Sequence, residues 1–133
     1  MINDIKKLNR YYKVKDFVKR ASNFKKTQYL YFRAEFIEEE LNELFKAIEN
    51  EYPDEIVDAL IDIIVVALGT LDAYNINIKT AWNRVHDANM KKEVGVNESR
   101  SNSLNLPDLV KPKDWEAPQH IDNIGLLDFL LKD

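Results

Sequence analysis

A chain of 133 residues, 45% apolar and 32% charged, has the size and composition for one domain with a hydrophobic core. Its lack of cysteine excludes a disulfide framework, a thiolate nucleophile and a zinc–thiolate site. The longest apolar run, Ile63 to Gly69, is far too short to span a bilayer, and no signal-peptide core is visible, so the expected compartment is the cytoplasm.

Net charge is −4 but unevenly spread. Residues 1–34 carry +8, residues 35–62 carry −10, and the remainder carries −2. The two charged segments can neutralise one another. Alternatively, the acidic one collects cations while the basic one holds an anion such as a polyphosphate. The lysines form no continuous run, so nucleic acid is not an expected partner.

With three glycines and four prolines, the pattern is helical throughout. Residues 2–22 read as one or two short amphipathic helices burying Ile5, Leu8, Tyr12, Phe17 and Val18. In the stretch from Thr27 to about Asn50, Leu30, Ala34, Ile37, Leu41, Leu44 and Ile48 recur at steps of four and three, the spacing of one helix face. Pro53, followed by Asp54 and Glu55, suits the first turn of a helix running to about Tyr74. Asn77 suits the N-cap of a helix from Ile78 to about Lys92. Beyond it, Gly95, serines, asparagines and Pro107, Pro112 and Pro118 predict an irregular arm without strands. The expected architecture is a single all-α domain over residues 1–133. It is a bundle of four to five helices with its core at about 15–92, an arm at 93–120 and a short amphipathic tail helix at 121–133.

Two acidic groups stand out. Glu39, Glu40 and Glu43 fall within a wedge of about 100° on the second of the clear helices, whereas Glu38 points away to solvent. Glu55, Asp58 and Asp62, spaced three and four, form one stripe on the next helix. Asp58 and Asp62 are set among isoleucine, valine and leucine, which predicts burial, and burial of a carboxylate needs compensation by a cation. If the helices pack antiparallel, the two stripes face each other as an all-oxygen site suited to Mg²⁺ or Mn²⁺. A di-iron site requires Glu-x-x-His, but His86 follows Asn83 and His120 follows Ala117.

Four motifs in order resemble one family. They are Glu39-Glu40-x-x-Glu43; Asp58-Ala-Leu-x-Asp62 in an apolar helix ending Gly69-Thr70; Val85-His86-x-x-Asn89-Met90-x-Lys92; and Lys111-Pro112-x-x-Trp115-x-x-Pro118. Over roughly residues 15–120 the chain resembles the MazG-like all-α nucleoside triphosphate pyrophosphohydrolases, in particular their phosphoribosyl-ATP pyrophosphohydrolase-like, phage-type branch. The resemblance implies Mg²⁺-dependent cleavage between the α- and β-phosphates, giving a nucleoside monophosphate and pyrophosphate, by a homodimer or homotetramer. It assigns Glu40, Glu43, Asp58 and Asp62 to metal, with Glu55 as a further possible ligand, and Glu39 to the attacking water.

The second half of the family pattern, Glu-x-x-Asp, fits in two registers. One selects Glu55 and Asp58. The other sets the aspartate at Asp62, with Ala59 in the glutamate position and Asp58 as its substitute. Asn89, Lys92, Lys111, His86 and Arg33 are the candidate substrate contacts, with an Arg33–Glu40 ion pair as the preferred alternative for Arg33. A base could meet Phe24, Tyr29 or Tyr31. Met90 is expected in the core. The alternative function is a non-catalytic nucleotide- or partner-binding module on the same scaffold.

Overall fold

The structure, a computed structural model, describes residues 1–97 and 104–131. Part of the serine-rich stretch of the predicted arm and the end of the tail lie outside these residues. Contacts divide the chain into two compact units: Met1–Ile78 with the segment from Ile124 onward, and Lys79–Asn123.

The first unit is built on four helices: α1 (Ile2–Tyr11), α2 (Val14–Arg20), α3 (Asn23–Glu49) and α4 (Pro53–Ala73). Helix α3 begins four residues before the expected Thr27, because the Ser22 side chain accepts a hydrogen bond from the Lys25 amide and caps it. Its other end is closed by Glu51 in the left-handed region (φ 59°), with the Tyr52 amide donating to Ala47 O at 2.9 Å and the Glu51 amide to Ile48 O at 3.1 Å. Pro53 then opens α4 at once, so α3 and α4 form an antiparallel hairpin. Asn75 (φ 59°) closes α4 in the same manner.

Two small cores hold this unit together. Ile5, Leu68 and Ile78 bring α1 onto the C-terminal half of α4. Val18, Ala73 and Tyr74 form the second, covered by Leu126, Leu127 and Phe129 from the tail. The tail is therefore part of the helical unit, but as two 3₁₀ turns, Ile121–Asn123 and Gly125–Leu130, with only the second in this unit. Gly125 has φ +52°, and a Cβ there would stand 2.1 Å from Tyr74 O. Several residues expected in the core are exposed: Leu8, Tyr12, Phe17 and Leu41.

The second unit contains α5 (Ile78–Met90) from Lys79 onward, and the arm. Strands β1 (Glu93–Gly95) and β2 (Asp108–Val110) pair antiparallel, where no strand was expected. Three-residue strands carrying Glu93, Gly95 and Asp108 are too short and too polar to show a period of two. Trp115 Nε1 donates to Ala88 O of α5 at 2.7 Å, and Arg84 grips Asp122 through two bonds of 2.6 and 2.8 Å. Met90, expected in the core, is exposed because α5 ends there.

Candidate functional site

Glu39, Glu40 and Glu43 lie on α3, and Glu55, Asp58 and Asp62 on α4. The hairpin turns at Glu51, and Glu40 and Asp62 stand eleven residues to either side of it. In an antiparallel pair, positions equally distant from the turn come opposite one another. This bears on the register, and the symmetry was readable in the sequence.

The electrostatics follow that geometry. The Glu40 carboxyl is held above its ordinary range, first by removal from water, then by the charges of Glu43 and Asp62, by a hydrogen bond that protonated Glu40 donates to Glu43, and by Glu39. Glu55 and Asp58 do not figure among the charges acting on it. Thus Glu39, Glu40, Glu43 and Asp62 gather in one field.

The predicted burial of Asp58 and Asp62 is corrected: both are exposed in the single chain, as are Glu39, Glu43 and Glu55. The reason lies in how α4 packs. Its buried residues are Ala59 and then Leu68, Gly69, Asp72 and Ala73 toward the C-terminal end. The N-terminal half leaves Val57, Leu60, Ile61 and Ile64 open to solvent, and α3 leaves Phe45 and Ile48 likewise. The aspartates are surrounded by apolar side chains that are themselves uncovered.

An oxygen-only donor set suits a hard divalent cation, and one atom is left in need of a partner: Glu40 Oε2 is buried with no hydrogen-bond partner among the described residues. The donor chemistry fits Mg²⁺. Among the described residues, however, no three carboxylate or imidazole groups converge closely enough to hold a metal ion unaided.

Arg33 does not form the expected ion pair with Glu40. Its Nε donates to Thr70 Oγ1 at 3.0 Å and an Nη to Val66 O at 3.1 Å, while Thr70 Oγ1 also donates to Val66 O at 2.7 Å. Close approach to Gly69 gives the guanidinium this space, since a Cβ there would lie 2.9 Å from Arg33 Nη2. Arg33 ties α3 to the C-terminal half of α4, away from the carboxylates.

In the second unit, the Lys92 and Lys111 ammonium groups each lie 5.1 Å from the centre of the Trp115 ring. His86 is exposed and Asn89 half-buried on α5. Of the aromatic candidates for a base, Tyr29 packs against Phe17 and Tyr74, whereas Phe24 and Tyr31 are exposed.

This helical hairpin with its paired acidic motifs has a match. The family model for phosphoribosyl-ATP pyrophosphohydrolase covers residues 15–89. The chain belongs to this family. It is therefore a member of the MazG-like all-α superfamily, and membership implies pyrophosphohydrolase activity. No curated protein and no solved structure matches this pyrophosphohydrolase. Helix α1, the arm beyond residue 89 and the tail lie outside the matched segment. Among the described residues, no helix is long and apolar enough to cross a membrane.

Proposed function

We propose that this pyrophosphohydrolase is a Mg²⁺-dependent nucleoside triphosphate hydrolase that cleaves between the α- and β-phosphates, releasing a nucleoside monophosphate and pyrophosphate. The supporting observation is the coupling of Glu40 to Glu43 and Asp62 across two helices, with one buried Glu40 oxygen left unpartnered. Glu40, Glu43 and Asp62 would hold the metal, with Asp58 as an additional ligand and Glu55 at the margin. Bound Mg²⁺ supplies charge to offset that developing on the phosphate oxygens. Glu39, exposed beside this group, orients the attacking water and accepts its proton. The resemblance puts Lys92, Lys111, Asn89 and His86 forward as substrate contacts; within the second unit, Lys92 and Lys111 are held at Trp115. Mn²⁺ would substitute, since it shares the preference for oxygen ligands.

A second copy of the chain is part of this proposal. Phe45, Ile48, Val57, Leu60, Ile61 and Ile64 are large apolar residues left exposed on the two helices that carry the carboxylates. A homodimer or homotetramer would cover them, bury the aspartates and draw the carboxylates together. The working compartment is taken to be the cytoplasm.

Monophosphate and pyrophosphate are measured together from a panel of nucleoside triphosphates and phosphoribosyl-ATP, with Mg²⁺ or Mn²⁺. Equimolar release of both products, abolished by Glu40→Gln and by Asp62→Asn, is expected. Stabilisation by Mg²⁺ and nucleotide without turnover of any of these compounds would instead identify a nucleotide-binding module. Light scattering that finds a monomer would refute the second copy.

A further inference from the structure

The first unit has a second charged feature, at the other end of α4. Helices α1 and α2 and the end of α4 enclose an open cleft of about 1070 Å³. Arg10, Lys13, Lys15, Lys19 and Arg20 line it, against the single carboxylate of Asp16. Phe17, half-exposed, lines it too and also borders a smaller cavity of about 210 Å³ that continues past Arg20 to Ser22 and Lys25. Only Lys15 is in an ion pair, with Asp72 at 3.6 Å; the other four lining cations have no ion-pair partner among the described residues.

The walls are fixed by buried polar bonds. Asn9 Nδ2 donates to Gly69 O at 3.0 Å and to Asp72 Oδ2 at 2.9 Å, while the other Asp72 oxygen meets Lys15. Asp72 is 2% exposed and Asn9 6%. One buried carboxylate therefore ties α1, through Asn9, and α2, through Lys15, to α4. Lys13, in the left-handed region at φ 56°, makes the turn between α1 and α2. Four like charges that form no ion pair, with Asp16 as the one lining carboxylate, repel one another, a cost that an anion would reduce.

We propose that this cleft is a binding site for an oligophosphate anion, the phosphate chain of a nucleotide or an inorganic polyphosphate, separate from the carboxylate site. Along α4, Asp62 and Ala73 are eleven residues apart, about 16 Å at 1.5 Å per residue, so an anion held beside Ala73 is not the one attacked beside Asp62 of the same chain. The volume holds more than a single phosphate, and Phe17, half-exposed, adds apolar surface beside the cations. Arg10, Lys13 and Asn9 lie outside the segment matched by the family, so the site is built partly from residues that the match does not cover.

The test uses the full chain without metal, titrated calorimetrically with inorganic tripolyphosphate, with ATP and with a short single-stranded oligonucleotide. Arg10→Ala with Lys13→Ala, and separately Lys19→Ala with Arg20→Ala, should each weaken tripolyphosphate binding about tenfold and flatten its salt dependence. All four side chains are exposed, so unchanged melting is expected and is checked for each variant. Lys6→Ala with Lys7→Ala removes the same charge from α1 outside the cleft and should leave binding unaltered. Glu40→Gln should also bind as the parent does, which separates this site from the proposed catalytic one. Tighter binding of ATP than of tripolyphosphate would identify a nucleotide as the ligand; equal binding would identify the phosphate chain alone. Equal loss in the Lys6/Lys7 control, loss in Glu40→Gln, or binding of the oligonucleotide without tripolyphosphate would each overturn the proposal.

Discussion

Arg33 occupies the space that a side chain on Gly69 would need, its Nη2 lying 2.9 Å from the position of a Cβ there. Alanine at position 69 would gain about 1 kcal/mol of helix propensity. It would also push the guanidinium off Val66 O, and a charge-assisted hydrogen bond is worth about 1.5–3 kcal/mol. Gly69→Ala should therefore destabilise the chain by about 1 kcal/mol, read by denaturant unfolding. In an Arg33→Ala background the same change should be neutral or stabilising, and simple additivity would refute the steric account.

The buried Asp72 sets a second expectation. Asn9→Ala removes one of its two partners and leaves the carboxylate with Lys15 alone, at a cost of about 2–3 kcal/mol. Lys15→Ala should cost less, because that side chain is 40% exposed and its ion pair is partly screened. Thermal melts of the two variants in one buffer would show the order.

Glu40 gives a pH dependence of definite sign. Its carboxyl is raised by burial and by its acidic neighbours, so the folded chain holds that proton more tightly than the unfolded chain does. The associated stability is present below the unfolded carboxyl value and is lost as pH rises through the folded one. Without metal, Glu40→Gln should melt higher than the parent at pH 7.5, with the difference fading below about pH 4, near the ordinary glutamate value. An unchanged difference across that range would refute the coupling. The same variant should have lost all pyrophosphate release.

Asp122 behaves oppositely. The hydrogen bonds from Arg84 hold its carboxyl below the ordinary value of 3.8. The contribution of this pair is present above 3.8 and disappears as pH falls through the lower, folded value. Amides at 119–123 should lose hydrogen-exchange protection in that acidic window, and Arg84→Ala should remove the pH dependence.

Glu51 closes α3 with φ 59°, a conformation that glycine adopts without strain. Glu51→Gly should raise stability by about 0.5–1 kcal/mol, because relief of the left-handed strain exceeds the added freedom of the unfolded chain. The melting temperature of this variant measures that balance.

What the sequence revealed divides along physical lines. The α3–α4 hairpin was legible because Leu30, Ile37, Leu44 and Pro53 report period and punctuation directly. Of the six acidic residues, Glu39, Glu43 and Asp62 act on Glu40 while Glu55 and Asp58 do not figure there, and the eleven-residue symmetry about Glu51 accords with Asp62 opposite Glu40. Exposure of Asp58 and Asp62 was not legible, since an apolar helix reads the same whether its own chain or another covers it. Neither was the role of Arg33, because an arginine two turns before a glutamate on the same helix face suggests an ion pair, whereas the guanidinium's destination depends on the gap at Gly69. The β1–β2 pairing joins segments too distant in sequence for either to announce the other.

The 3₁₀ turn Gly125–Leu130 bears on how the protein is made. Leu126, Leu127 and Phe129 complete the core around Val18 and Tyr74, yet the ribosome adds them only after all of Lys79–Asn123. Until then the aromatic side of the first unit stays open, and closing it requires a long excursion of chain to return, at an entropic cost that grows only slowly with its length. A nascent chain stalled before Gly125 would therefore expose Tyr74 to chaperones and proteases, while one extended past Phe129 would hide it.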